Sequence, residues 1–206
     1  MTQFFQIHAE NPQPRLTNQA ATIVRKGGII VYPTDSGYAL GCQLGDKSAL
    51  TRIQRLRKLD EHHHMTMVCR DLSELAYYAR VTNSSFRLLK HHTPGAYTFI
   101  LRATSEVPRR LIHPKKKTLG LRVPDNRIAL ALLDALGEPM MSTSLILPNK
   151  TKIMTDPYDI RIELQGRVDL IIDGGFCGSE ETSVIDMTDD IPVIVRAGAG
   201  DVSSII

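Results

Sequence analysis

The segment IIVYPTDSGYALG, residues 29–41, decides the fold class of this chain. Its first four residues form an apolar, β-prone run, and Pro33 is expected to end that strand. The residues before it follow the spacing of a helix, at Leu16, Ala20, Ile23 and Val24. The Gly27-Gly28 pair ends that helix, and Asp46 can cap another helix that runs to about Lys58. A short apolar strand between two helices indicates an α/β protein.

Strand and helix patterns alternate along the rest of the chain, without an internal repeat or a linker. Further strands are predicted at Met65–Cys69, Ala96–Leu101, Leu119–Val123, Asp169–Ile172, Ser183–Met187 and Val193–Val195. Further helices are predicted at Asp71–Tyr78, near Asn126–Leu136 and at Asp156–Gln165. The last two strands are joined too closely for a helical crossover, so a mixed sheet is favoured over a parallel one. We expect one domain over residues 1–206.

Composition indicates an ordinary globular protein, with 42% apolar and 23% charged residues. The net charge of +3 is too small to indicate a nucleic-acid partner by itself. The N-terminus lacks the pattern of a signal peptide, and no run of about 18 apolar residues could span a membrane. The three cysteines are far apart and odd in number, which argues against a disulfide framework. We therefore expect a cytoplasmic protein with no membrane partner.

Two clusters of basic residues stand out. On an ideal helix over residues 49–58, Arg52, Arg55 and Lys58 lie opposite an apolar stripe, whereas Arg57 lies at the edge of that stripe. A guanidinium there either reaches water or binds an anion at the rim of a cleft. The second cluster comprises Arg109, Arg110 and Lys115–Lys117. Such clusters are usually solvated, but two of them beside one groove would attract phosphates.

Several other chemistries lack their motifs. The chain has no GxxxxGK[ST] phosphate loop, no GxGxxG turn and no GxSxG nucleophile elbow. The glycine-rich residues 174–178 are interpreted as a tight turn. Adjacent side chains of His62-His63-His64 would point in alternating directions in an extended chain, so no metal site is predicted there.

Six short motifs follow one another between residues 32 and 198. They are YPTDSGYALG (32–41), TPGAYT (93–98), LRVPD (121–125), STS (142–144), TSVID (182–186) and VRAG (195–198). Their order resembles that of the YrdC-like (threonylcarbamoyl-AMP synthase) family, and the chain is most similar to its YciO branch. The resemblance implies a single α/β domain, in which helices flank a twisted, mixed, open β-sheet around a concave basic groove.

The resemblance also implies an activity. Synthases of this family join L-threonine, bicarbonate and ATP into threonylcarbamoyl-AMP and pyrophosphate, for the threonylcarbamoyl modification of adenosine in tRNA. Such a reaction depends on positioning anions and screening the triphosphate more than on a nucleophilic side chain. ATP is then a substrate, Mg²⁺ is expected to accompany it, and no tightly bound cofactor is implied.

The motif positions imply roles for nine residues. Those matching threonine-binding positions are Thr34, Arg122, Ser142 and Thr182. Those matching nucleotide-binding positions are Thr118, Ser144 and Arg196, and the catalytic candidates are Arg57 and Lys58. Arg122 is expected to offer its guanidinium fork to a carboxylate. The residues themselves leave plainer interpretations open: Thr34 could shape a turn, and Arg122 could be an ion-paired strand residue.

The chain also departs from the family pattern. Leu59 replaces an arginine, Ile146 replaces an asparagine and Val68 replaces a histidine that touches threonine, while His63 stands where an asparagine touches ATP. Aliphatic side chains can neither donate a hydrogen bond to a phosphate nor stabilise developing charge. We therefore expect weak or altered synthase activity on threonine or a related small acid.

A second hypothesis belongs to another class. The basic clusters, with only 5% aromatic residues, favour contacts to the phosphates of double-stranded RNA or tRNA over base stacking. The same groove would then serve a non-catalytic RNA-binding protein. A third alternative is a scaffold or regulator that keeps the fold alone.

Overall fold

The computed structural model describes residues 1–60, 63 and 65–205. The strands are β1 (Gln3–Gln6), β2 (Ile30–Thr34), β3 (Gly37–Gln43), β4 (Thr66–Val68), β5 (Tyr97–Arg102), β6 (Thr118–Arg122), β7 (Met140–Ser144), β8 (Leu170–Asp173), β9 (Ser183–Asp186) and β10 (Val193–Arg196). The helices are α1 (Pro14–Arg25), α2 (Lys47–Arg57), α3 (Leu72–Tyr78), α4 (Asn83–His92), α5 (Arg127–Leu136) and α6 (Pro157–Leu164), with a 3₁₀ turn at Arg109–Leu111.

The described strands form one sheet in the order β1-β8-β2-β3-β7-β4-β6-β5-β9-β10. The sheet contains both parallel pairs, such as β4 with β6 and β5 with β9, and antiparallel pairs, such as β3 with β7. The predicted α/β class with a mixed sheet is confirmed. The short β9–β10 connection forms an antiparallel pair, as expected for strands joined without a crossover helix.

The helices divide between the two faces of the sheet. Residues of α1 and α5 form one apolar cluster with Ile30, Tyr32 and Ile172. Residues of α2, α3, α4 and α6 form the other cluster, against alternate strand residues such as Met67 and Leu121. Because α1 and α5 pack against each other near β2, they leave the β4–β6–β5–β9 half of their face for a cavity.

Capping residues explain the predicted helix starts. The side chain of Asp46 accepts a hydrogen bond from Ala49 N at the start of α2, and Asp71 does the same with Glu74 N at α3. Asn126 caps α5 through Ala129 N, and Gly137 ends that helix in the left-handed region with φ 74°. These helices were predicted from such signals. In the described part of the chain, no helix combines the length and apolar character that a membrane crossing needs.

The prediction that Pro33 ends its strand was wrong. Pro33 pairs with Tyr38 across the β2–β3 hairpin, and β2 continues to Thr34. The backbone of Tyr38 bonds Met154 O and Leu145 N on its other side. The pair is therefore of the non-hydrogen-bonded type, in which the missing N–H of proline costs no bond. Strands β1 and β3 and helix α4 were not predicted from the sequence.

A strong twist brings distant parts of the sheet together. In strand order, β3 and β6 are separated by β7 and β4. Nevertheless, Asp35 in the β2–β3 hairpin is bonded by the Arg122 side chain, at the end of β6, and by Asp125 N. Diagonal corners of a twisted sheet approach each other over its concave face. The hairpin and the end of β6 thus close over the cavity.

Candidate functional site

A cavity of about 510 Å³ lies on the concave face of the sheet. Its floor includes one row of register partners across five strands: Ser142, Thr66, Gly120, Ile100 and Asp186. The volume is in the usual range for small-molecule sites. Gly120 has no side chain, so the middle of the cavity floor stays open. A β-carbon at this position would lie 3.3 Å from Thr98 Cγ2.

Eight of the nine residues singled out from the motifs line this cavity. They are Thr34, Arg57, Thr118, Arg122, Ser142, Ser144, Thr182 and Arg196. Lys58 is not among the lining residues: it ends α2 with φ 53°, in the left-handed region, and is exposed. Its exposure agrees with the helical projection, which placed it opposite the apolar stripe, whereas the catalytic role implied by the resemblance would need it at the cavity.

Arg57 extends from the last turn of α2 into the cavity wall. Its Nε donates to Ile146 O at 2.9 Å, and one terminal nitrogen donates to Thr143 Oγ1 at 2.6 Å. Both acceptors are neutral. Burial lowers the pKa of Arg57, and the nearby Glu181 carboxylate opposes that shift. The guanidinium is thus a partly desolvated cation whose remaining N–H groups suit an anion.

Arg122 has a different environment, because it is 7% exposed and ion-paired. One terminal nitrogen donates to Ser36 Oγ at 3.0 Å and the other to Asp35 Oδ1. Its Nε is buried and makes no hydrogen bond to any described residue. The fork expected for a ligand carboxylate is therefore partly occupied by Asp35 and Ser36, and three N–H groups remain. The plainer interpretation of Arg122, an ion-paired strand residue, is confirmed, and its role toward a ligand stays a prediction.

The third arginine, Arg196, is fixed against the segment that leads into β9. Its Nε donates to Thr182 O at 3.0 Å, and a terminal nitrogen pairs with the carboxylate of Glu181. Thr182 Oγ1 lies 2.9 Å from Thr98 Oγ1. The Arg196 guanidinium is therefore held at the cavity wall, and the Glu181 carboxylate balances its charge.

Four cations and two carboxylates line the cavity: Arg57, Lys116, Arg122 and Arg196, with Glu181 and Asp186. Lys116 is the single member of the second basic cluster in that lining. Arg52 of the first cluster pairs with Asp169 at 2.9 Å instead. The wall of the cavity is therefore moderately basic, and the rest of the second cluster lies outside it.

Four further residues of the site were not predicted from the sequence: Asp35, Thr98, Gly120 and Glu181. A signal was available for Thr98 and Gly120, because small or polar residues occupy alternate positions on these strands, such as Thr118, Gly120 and Arg122 on β6. They alternate with Leu119 and Leu121, both of which are buried in the core, although Leu119 also reaches the cavity lining. No comparable pattern marks Asp35 and Glu181, which act through contacts to distant arginines.

Only some of the residues that depart from the family pattern line the cavity. Val68, Ile146 and His63 line the cavity, whereas Leu59 is not among its lining residues. Two residues of the histidine run, His62 and His64, lie outside the described residues. Apolar side chains thus stand at two cavity positions where the family pattern has polar ones.

Several known proteins are similar to this chain in sequence and in fold. A family model described as Telomere recombination, which covers the Sua5, YciO and YrdC proteins, matches residues 22–198. YciO of Escherichia coli (strain K12), itself uncharacterized, is 61% identical over 98% of this chain and 98% of its own length. The crystal structure of E. coli YciO superposes with a TM-score of 0.96 over 100% of both chains, at 60% identity.

Two more distant relatives have named properties. A threonylcarbamoyl-AMP synthase of Neisseria gonorrhoeae is 32% identical over 87% of this chain and 92% of its own length. The structure of Pyrococcus abyssi Sua5 complexed with L-threonine matches with a TM-score of 0.87 at 26% identity. That alignment covers 96% of this chain and 58% of the Sua5 chain.

Proposed function

The chain belongs to the family of Sua5, YciO and YrdC proteins, and from this premise we propose that its cavity joins a small amino acid, bicarbonate and ATP into a carbamoyl adenylate. Threonine or a related acid is the amino-acid substrate, as the relation to a threonylcarbamoyl-AMP synthase suggests. When threonine is the substrate, the product would enter threonylcarbamoyl chemistry on tRNA.

One observation carries this proposal: Arg57 places a partly buried guanidinium in the cavity with only neutral hydrogen-bond partners among the described residues. Burying a cation costs free energy unless an anion compensates it. The nearby Glu181 carboxylate does so only in part, because it is itself paired with Arg196. A triphosphate would supply the remaining negative charge. The cavity also offers the hydroxyls of Thr118 and Ser144, which make no hydrogen bond to a described residue and are therefore available to a nucleotide.

The proposed chemistry divides between substrate and protein. The amine of the acid and bicarbonate give a carbamate and water, and a carbamate oxygen attacks the α-phosphorus while pyrophosphate leaves. Arg57 and Lys116 would screen the charge that moves to pyrophosphate. Mg²⁺ would arrive with ATP and supply further screening. Asp186 is the cavity carboxylate without an arginine partner in the part of the chain described, and it would complete the coordination of that ion.

We propose that the rate is low. Ile146 and Val68 line the cavity, and neither side chain can hydrogen-bond to the developing charge. Losing one such donor typically costs about 3 kcal/mol of transition-state stabilisation.

A titration of ATP with Mg²⁺ by calorimetry tests the location of the nucleotide site. Gly120→Leu is expected to abolish binding, because its side chain would rise from the middle of the cavity floor. Gly120→Ala is the matched control and should retain binding within about threefold, since its β-carbon meets only Thr98 and Thr66, at 3.3 and 3.7 Å. Equal ATP affinity in both folded variants would place the nucleotide elsewhere.

A second candidate function is binding of double-stranded RNA or tRNA by the Arg109, Arg110 and Lys115–Lys117 cluster. All five side chains are exposed, and none forms an ion pair with a described residue. Unpaired exposed cations are suited to contact phosphates and release counterions.

A gel-shift titration of duplex RNA in rising salt tests that function. The double variant Lys115→Ala/Lys117→Ala should reduce the slope of log K against log salt by about 2, one for each lost phosphate contact. Both lysines lie outside the cavity lining, so ATP binding should be unchanged. A shift that is absent, or insensitive to salt, would exclude this function.

A further inference from the structure

The acid-binding corner of the cavity is bordered by an apolar strand residue. Val68 is the register partner of Arg122 in the parallel β4–β6 pair. Register partners project their side chains from the same face of a sheet, and both residues line the cavity. A small acid whose carboxylate reaches the remaining N–H groups of Arg122 therefore brings its own side chain close to Val68.

Thr34 and Ser36 lie in the hairpin beside Arg122, and their hydroxyls already form hydrogen bonds within the protein. Thr34 Oγ1 donates its proton to Gly37 O at 2.6 Å and accepts from Ser36 N at 3.2 Å. Ser36 Oγ accepts from Arg122 and lies 3.2 Å from Thr34 Oγ1, so its proton points there. Thr34 thus shapes the turn, as its plainer interpretation held. Neither hydroxyl has a proton left for a ligand.

The Ser142 hydroxyl can accept a hydrogen bond from a ligand but has no proton to donate to one. Its Oγ donates to Leu40 O at 3.0 Å, so the Tyr32 hydroxyl, 2.7 Å away, must be the donor of the second bond. Burial raises the pKa of Tyr32 to about 12, so it keeps that proton at neutral pH. The remaining lone pair of Ser142 suits the amino group of an amino acid. A side-chain hydroxyl on the same ligand would have to compete for it.

The two sides of this corner differ. On the β5 side, the Thr98 and Thr182 hydroxyls are bonded to each other at 2.9 Å, whereas the β4 side is apolar. Val68 and Ala39 line the cavity at 2% and 5% exposure, and they belong to one cluster with Met140, the other register partner of Val68. The closest hydroxyl on β4 without a hydrogen bond to a described residue is that of Thr66. It lies two residues along the strand, about 7 Å from Val68.

We propose that the amino-acid subsite selects an aliphatic, β-branched side chain, and that it prefers L-valine to the isosteric L-threonine. This inference rests on the proposed function, because it requires an acid bound at Arg122. An apolar subsite discriminates only moderately against an isostere that adds a hydroxyl. The expected preference for valine is therefore about tenfold in Kd.

The test is calorimetric titration of L-valine and L-threonine into the full chain with ATP and Mg²⁺, in bicarbonate-free buffer so that no carbamate forms. Val68→Thr changes a methyl into a hydroxyl without changing shape, and should reduce the preference to threefold or less, or reverse it. Val193→Thr makes the same change at an exposed position on β10 and should leave the preference at tenfold. Thermal unfolding checks that each variant folds.

The outcomes separate this inference from the proposed function. The inference is overturned if the wild-type protein binds threonine as tightly as valine, or if Val68→Thr leaves the preference unchanged. Either result would still be compatible with an acid site at Arg122. If neither amino acid binds while ATP does, the acid site itself is wrong, and the inference is overturned with it. Binding of both that Arg122→Lys weakens equally would place the two ligands at the proposed corner.

Discussion

Replacing Arg122 with methionine is expected to lower the free energy of unfolding by about 3–5 kcal/mol, measured by urea denaturation. The side chains of Arg122 and Asp35 are only 9% and 13% exposed, so the substitution leaves a largely buried carboxylate without its cation. It also removes the side-chain contacts from the end of β6 to Asp35 and Ser36 in the β2–β3 hairpin, and leaves only the bond from Asp125 N to Asp35. Both effects act on the folded state.

Two further variants give this prediction its controls. The double variant Asp35→Asn/Arg122→Met should recover at least half of the loss, because no uncompensated charge remains. Arg102 and Asp189 form an ion pair in which the side chains are 57% and 84% exposed. Arg102→Met removes that pair and should lower the free energy of unfolding by less than about 1 kcal/mol. An Arg122→Met variant no less stable than Arg102→Met would show that the ion pair does not hold these segments together.

Replacing Arg57 with alanine is expected to lower kcat/KM for adenylate formation by about 10²–10³-fold. The variant removes a partly desolvated guanidinium that, under the proposed function, screens the triphosphate. Loss of one preorganised cation or donor at developing charge has effects of this size. The measurement is the initial rate of pyrophosphate release that depends on the amino acid and on bicarbonate.

The adjacent lysine provides the matched control. Lys58 is exposed and lies outside the cavity lining, so Lys58→Ala should retain kcat/KM within about threefold. Arg57→Lys keeps the charge but loses the paired contacts to Ile146 O and Thr143, and an intermediate rate is expected. If Lys58→Ala lost as much activity as Arg57→Ala, the assignment of the catalytic cation would be reversed.

The behaviour of α2 shows how far sequence reasoning reaches. Periodicity and the Asp46 cap predicted the helix, and the helical projection placed Arg57 at the edge of the apolar stripe, where the structure has it. The same projection placed Lys58 opposite that stripe, and Lys58 is indeed exposed. The catalytic role suggested for Lys58 came from the family resemblance alone, and that residue lies outside the cavity lining.

The strands show a different limit. The segment that forms β3 contains Gly37 and Gly41 and has no clear apolar run, so its strand state depends on pairing with β2 and β7. The partnership of Asp35 with Arg122 likewise depends on the accumulated twist of four strands. Neither feature is encoded in a local pattern. The family motifs did identify residues that the fold brings into one cavity. Local patterns of hydrophobicity and turn residues would not have grouped those residues together.

The measurement that most directly tests the central claim is detection of the adenylate itself. Purified protein would be incubated with ATP, Mg²⁺, bicarbonate and either L-threonine or L-valine, and the carbamoyl-AMP product followed by mass spectrometry. We predict a slowly formed product that requires the amino acid and bicarbonate and is lost in Arg57→Ala. Absence of any such product, in protein that still binds ATP in the cavity, would contradict the claim that this cavity forms an adenylate.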